Sequence, residues 1–561
     1  MAKRRRHFDD LPGVKRPRAN FDLSHRVATT MKPGLLHPID WVEVLPGDTW
    51  TVDSVNLTKL VTPLVRPIMD DVYLDTYSFF VPLRLCMDKL EDVFGDSSPS
   101  AYESQDLEVI PTFQAQVTKG GSTQNIPSLG TVYDYLGMIT DSVAIKSVEA
   151  SADYSVLPCR AFALVWNEFF RNQQVDQEVN VNKASAVSAS ELPNNNAWSP
   201  TNYGGQLPPV RRYGDYFSTC MLAPQKGPAV KIPIAGTPLS TVSGVVTPSV
   251  SSYPYPIRLM SGTTDGSTDG ALYFSSSTCE IVKPVIGGDL PESTENFINS
   301  NLVVGEPTDG TINALRLAFQ LQKYLERDAF YGSRYREYLY ASYGVVSQDS
   351  RVQVPEFLGG THNRLQISQI MSTAGTDSVA QGQFSGQISS LSEKNLKYSK
   401  SIPEHGYVIT VAAIRYKHLY SQAVQPAWFR TRREHFYDPL FSNLGQQAIP
   451  VREIIGLDQS MTSTVFGYQE NFAEYRTILD RVTGQMRPMD GNTGQYWSLA
   501  DRFDGVPSLS DIVHEQTDSF DRVLTATSTS GVDPFIVDFN FRCSTARVVS
   551  PYSMPGFADH H

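Results

Sequence analysis

The chain has 561 residues, 41% of them hydrophobic and 19% charged, with a formal net charge of -12. That composition excludes a wholly disordered polyelectrolyte and is ample for a large core. No collagen or heptad repeat and no run of 18 apolar residues occurs, so a fibrous protein and a membrane-spanning helix are excluded.

Length alone favours three or four domains of ~150 residues. The charged N-terminus has no apolar stretch behind it, so no signal peptide is expected. Five widely spaced cysteines, Cys86, Cys159, Cys220, Cys279 and Cys543, form no C-x-x-C pair. They suit a reducing compartment, as small core hydrophobes. Charge is uneven. Residues 1–18 carry Lys3, Arg4, Arg5, Arg6, Lys15, Arg16 and Arg18 against Asp9 and Asp10, a local +5 that leaves about -17 for the rest. An acidic body with a basic arm points to a polyanion as partner.

In chain order, residues 1–35 read as an extended basic arm broken by Pro12, Pro17 and Pro33, with folded chain beginning near Trp41. Pro46-Gly47-Asp48 reads as a tight turn. Val72–Val81 is β-branched and aromatic and ends at Pro82, a strand signature. Residues 95–128 read as loop. Arg160–Arg171 is a helix candidate with Phe162, Val165, Trp166 and Phe169 on one face. Residues 172–210 are polar and irregular, and Val230–Ile234 is a short edge-strand candidate.

Residues 236–280 stand apart: about 26 of these 45 are Gly, Ser, Thr or Pro, and Arg258 is the only basic residue. They predict a surface excursion of short strands and turns. Thr311–Arg327 predicts a helix. Ile312, Leu315 and Phe319 lie on one side and Leu317, Leu321 and Tyr324 on the other, as in a helix packed between two layers. Residues 373–400 read as a Ser/Gly/Gln loop, Gly406–Tyr416 as a strongly apolar strand, and Asp533–Cys543 as an alternating, half-buried one. Separated strands and long connections favour a β-sandwich with large insertions over a doubly wound α/β fold.

Signatures of catalysis are weak. There is no P-loop and no G-x-S-x-G elbow; Gly382-Gln383-Phe384-Ser385-Gly386 has its serine one place late and reads as loop. Glu404-His405, Glu434-His435 and Asp559-His560-His561 lie in no metal-binding motif. No catalytic residue, metal ligand or cofactor is assigned. Two stretches interleave cations with rings. In Trp428–Tyr437, Arg430, Arg432 and Arg433 lie among four aromatics; in Tyr331–Tyr343, Arg334 and Arg336 lie among five tyrosines. Such platforms hold single-stranded nucleic acid by stacking and charge. A buried aromatic corner with paired arginines fits the same residues. The arm cations and Arg430, Arg432 and Arg433 are the candidate DNA contacts.

Ordered segments along nearly the whole chain resemble the major capsid proteins of the gokushovirus branch of the microviruses, small single-stranded-DNA bacteriophages. They include Phe21-Asp22-Leu23-Ser24-His25, Glu43-Val44-Leu45-Pro46-Gly47-Asp48-Thr49, Asp75–Arg84 and Trp166-Asn167-Glu168-Phe169-Phe170-Arg171. Pro224-Gln225-Lys226-Gly227, Pro355–Gly360, Phe466-Gly467-Tyr468-Gln469-Glu470 and Pro555–His560 continue the series.

The resemblance implies a single eight-stranded antiparallel jelly-roll β-sandwich over 36–561, with long loop and helix insertions, so one inflated domain replaces three or four. It implies a sixty-subunit T=1 icosahedral shell around circular single-stranded DNA. It also implies an insertion, taken as 228–308, that projects outward at the threefold axes. Tyr253, Tyr255, Arg258 and Tyr273 are its candidate host-attachment residues. Implied partners are other copies of the chain, the genome, a small basic DNA-binding virion protein, a minor pilot protein and a host-cell receptor, with assembly in the bacterial cytoplasm and no membrane insertion. The rival reading is a β-sandwich carbohydrate-active enzyme with a basic tail.

Overall fold

A computed structural model describes residues 18–230 and 312–552, apart from 95–107, 374–383, 525–532 and shorter stretches, together with three short strands within 256–282. The chain divides into two compact units, 1–224 with 328–561, and 225–327.

The first unit is mainly β, built on two antiparallel sheets. One holds β1 (Ala19–Asp22), β2 (His25–Met31), β4 (Thr49–Leu60), β7 (Leu396–Ser401) and β9 (Phe535–Arg547), plus the short Ser390–Leu391. Here β9 lies between β4 on one side and β1 and β2, end to end, on the other; β7 adds to the far edge of β4. The other sheet runs β6 (Glu356–Leu365), β5 (Val72–Pro82), β8 (Gly406–Tyr416), β3 (His37–Val44).

Alternation explains the first sheet. Phe535, Val537, Phe539 and Phe541 turn inward with Trp50 and Val52 and meet Leu74, Phe80, Val408, Ile414 and Tyr416 of the second sheet in one core. The intervening residues of β9 are partly or fully exposed, so that sheet keeps one wet face. The second sheet is covered on both faces. Residues Tyr407, Ile409, Val411 and Ala413 of β8 face a second core, which includes Phe79, Val81 and helix α1 (Leu157–Val165). Burial on both sides is why β8 reads as a continuous apolar run. At Gly406 a side chain would collide with the Phe80 ring and lie 2.6 Å from the Val81 carbonyl oxygen, so the strand must begin with glycine there.

Several expectations shift. Residues 19–31, read as arm, are strands: Phe21, Leu23, His25, Val27 and Met31 alternate toward the inner face. Thr112–Val117 and Leu396–Ser401 are strands inside stretches read as loop. The helix α1 is buried on every side, including Arg160, and continues as a π-turn over Trp166–Phe170. Helix α2 (Ile312–Tyr331) is not packed between layers; Ala318 is its buried residue, while Leu317 and Phe319 are exposed. Burial on both sides needs a second layer, and none covers it among the described residues. Val230–Ile234 lies mostly outside the described residues.

Candidate interaction surfaces

The connection from β8 to β9 is organised by a third core, in which Tyr216, Phe217 and Tyr420 pack with Ile449, Ile454, Ala473 and Ile512. On it sit a hairpin, Gln446–Pro450 with Val465–Glu470, and short 3-10 turns at Pro426–Phe429, Arg433–His435 and Pro439–Phe441. Two of the turns open with proline, whose fixed φ sets the first residue of a turn. None of these turns is long enough to give its side chains an inward register. The result is an aromatic and aliphatic surface facing solvent: Trp428 is 79% exposed, Leu440 85% and Ile478 87%, with Phe436, Tyr437, Leu444 and Tyr475 also exposed.

Of the three arginines assigned here, Arg430 is engaged within the chain. Its Nη2 lies 3.2 Å from Glu474 Oε1, and its guanidinium is 4.5 Å from the Tyr475 ring centre. For Arg430 the structure gives the paired corner. Arg432 and Arg433 are exposed, and neither has an ion pair among the described residues. Beneath them Glu453 is buried and accepts a hydrogen bond from the Tyr216 hydroxyl at 3.2 Å. Burial pushes its carboxyl up to about 7.

The second ring-and-cation stretch is also paired. Arg334 and Arg336 lie 3.6 Å from Glu168, Arg336 also reaches Asp349 at 3.2 Å, and Tyr335–Tyr343 forms helix α3. Arg18 is exposed at the foot of β1, its Nη1 3.4 Å from Thr49 Oγ1. Lys3, Arg4, Arg5, Arg6, Lys15 and Arg16 lie outside the described residues, as do Tyr253 and Tyr255. Arg258 and Tyr273 fall in two paired strands, Pro256–Arg258 and Ala271–Phe274.

Two clusters of charged side chains are sealed inside the first unit. His418 lies between Asp501 (Nδ1 to Oδ2, 2.9 Å) and Glu515 (Nε2 to Oε1, 2.8 Å), and Arg212 reaches Asp501 at 2.6 Å. All four side chains are buried, and nothing reaches them from solvent. With a carboxylate on each ring nitrogen, both must donate, so the imidazole is held as a cation, up to about 9. Arg160 and Glu191 form a second sealed pair, at 2.7 and 3.0 Å, with the remaining guanidinium hydrogens on the Cys86, Ala184 and Ala186 carbonyls. The four described cysteines are buried and free.

A family model described as capsid protein (F protein) matches residues 9–557. The chain belongs to this capsid protein family. Among its relatives is capsid protein VP1 of Spiroplasma virus 4, 30% identical over 98% of this chain and 97% of the relative. Those of Chlamydia phage 1 and Bdellovibrio phage phiMH2K are 31% and 33% identical over the same shares. A capsid protein is a structural component of a virion, so the rival reading as a carbohydrate-active enzyme falls away. Membership also accounts for large apolar side chains left in solvent, because a shell subunit is incomplete alone.

The sequence singled out Trp428 within its segment but missed Leu440, Leu444 and Ile478. The available signal was bulky aliphatics in a Pro- and Arg-rich stretch with neither helical nor strand period to bury them.

Proposed function

We propose that sixty copies of this chain close into a T=1 icosahedral shell around a circular single-stranded DNA genome. The family match carries the reading, and the strand pairing supports its fold. Four hydrogen-bonded pairs nest in sequence: β2 with β9, β3 with β8, β4 with β7, and β5 with β6. A chain folded back on itself and rolled up in that order is an eight-lane jelly roll, with β1 prolonging the first lane. The long connections then supply contact area between subunits.

The arm, Lys3 to Arg18, is assigned to the inner side, where its cations neutralise phosphate by counterion release. Seven cations are too few for one subunit's share of a genome, which favours a separate small basic DNA-binding protein in the virion. The excursion 228–308, nearly free of basic charge, is assigned to the outside at the threefold axes. There Tyr253, Tyr255, Arg258 and Tyr273 would meet a host receptor. Its strands fall in the second compact unit, Gln225–Arg327, which supports a separable protrusion. A minor pilot protein and assembly in the bacterial cytoplasm complete the scheme.

Electron microscopy of the expressed full chain tests this. Uniform small shells are expected; a protein that stays monomeric under all assembly conditions overturns it. In the same assay, shells lacking residues 2–18 should retain less DNA with a flatter salt dependence. Phage particles shortened within 240–280 should stay intact and fail to attach.

A further inference from the structure

We infer that the exposed surface formed by residues 426–441, 444–457 and 464–478 is a contact between copies of this chain, an inference that rests on the capsid reading. The surface is continuous. Two open clefts share Pro426, Arg430 and Glu474; one is bordered by Phe429, Phe441 and Leu444, the other by Tyr475 and Ile478. It is also preformed. Arg430 is fixed between Glu474 and Tyr475, Arg452 lies 4.7 Å from the Phe429 ring centre, and the hairpin beneath is anchored through Ile449 and Ile454. Little ordering would be needed on docking, which favours affinity per unit area. Contiguous apolar surface of this kind marks an interaction site on a soluble subunit.

Two partners compete for it, a nucleic acid strand and a second copy. Leu440, Leu444 and Ile478 have no aromatic face on which a base can stack, unlike the rings that hold single strands. Glu434 and Glu474 stand among the arginines, so the patch lacks the one-sided charge of the arm. A second copy fits both features. It offers apolar connections of the same kind, and its acidic body, about -17 outside residues 1–18, offers carboxylates to Arg432 and Arg433. Trp and Arg are also the residues enriched where protein interfaces are strongest.

The test uses the full chain with Leu440→Asp and Ile478→Asp together. Shell yield should fall at least about tenfold, as for loss of an interface hot spot, while the melting temperature of the free subunit is unchanged. Should the pair alter that melting, Leu440→Gln with Trp428→Ala reads the same surface without a buried charge. Wild-type shell yield from subunits of normal stability overturns the inference. So do shells formed in normal number that have lost only their DNA, which would give the patch to the genome. Failure of the unaltered chain to form shells would instead sink the capsid reading.

Discussion

The connection between β8 and β9 contains two stretches of opposite character. Near its two ends His418, Asp501 and Glu515 bury charge completely, and each charge is met by another from the same chain. In the middle, around Trp428, Leu440 and Ile478, apolar groups are left in water. Each violates the usual rule of burial in the opposite direction. The first violation is internally compensated, so it contributes to the stability of one subunit. The second is uncompensated within the chain, so its benefit comes only on association. Stability and assembly are thereby assigned to different residues of one connection, and substitutions can separate them.

The largest expected effect is on the sealed side. His418→Ala leaves Glu515 buried without its cation and Asp501 with Arg212 alone, and should cost about 3–5 kcal/mol in chemical denaturation. Its pH dependence has a definite sign. The imidazole is raised to about 9, so its contribution is complete below its ordinary 6.5 and is lost as pH rises through about 9. Asp501 is held down to about 2 against burial, chiefly by His418, with Arg212 adding to it, so its contribution is present above 3.8 and lost as pH falls through about 2. The difference between wild type and the variant should therefore shrink above pH 9. A constant difference to pH 10 would mean that the imidazole acts by packing alone.

Glu453 lies where the two regimes meet, buried under the exposed surface. Its carboxyl is raised from an ordinary 4.5 to about 7, so the folded state is penalised as pH rises across that interval. Glu453→Gln should stabilise the subunit by about 1–3 kcal/mol at pH 8 and by nothing at pH 4, read as melting temperature. A gain of equal size at both pH values would show that charge is not the cause. The smallest effect belongs to exposed pairs. Arg26 and Asp538 lie 2.6 Å apart on the wet face of their sheet, where solvent screens the pair, so Arg26→Ala should barely move the denaturation midpoint.

Sequence pattern was informative where one physical rule acts alone. The strand β8 is apolar on both faces because layers cover both, and its limits were read to the residue. Likewise β5 was legible from its β-branched and aromatic run. In β2 the inner positions include His25 and Thr29 beside Val27 and Met31, so the period of two is diluted and the segment reads as arm. Thr112–Val117 alternates cleanly but sits in a polar neighbourhood whose composition outweighed it. Helix α1 showed only part of its buried surface, because Arg160 marks a polar face by sequence while its charge is neutralised by Glu191, 31 residues away. Such long-range pairing leaves no local signal. The same holds for the surface around Trp428, Leu440 and Ile478, which no described residue of the chain covers.

The strand β9 lies in the middle of its sheet, with β1 and β2 along one edge and β4 along the other. During synthesis the neighbours on both sides emerge hundreds of residues before it does. Until β9 arrives, they present unpaired backbone, and Phe535, Val537, Phe539, Phe541 and Cys543 are missing from the central core, so the sandwich cannot close. Closure is therefore timed by translation: a ribosome-bound chain stopped short of Phe535 has no finished subunit to offer a growing shell. Placing a late strand at the centre thus makes closure of the whole sandwich wait for residues 535–547.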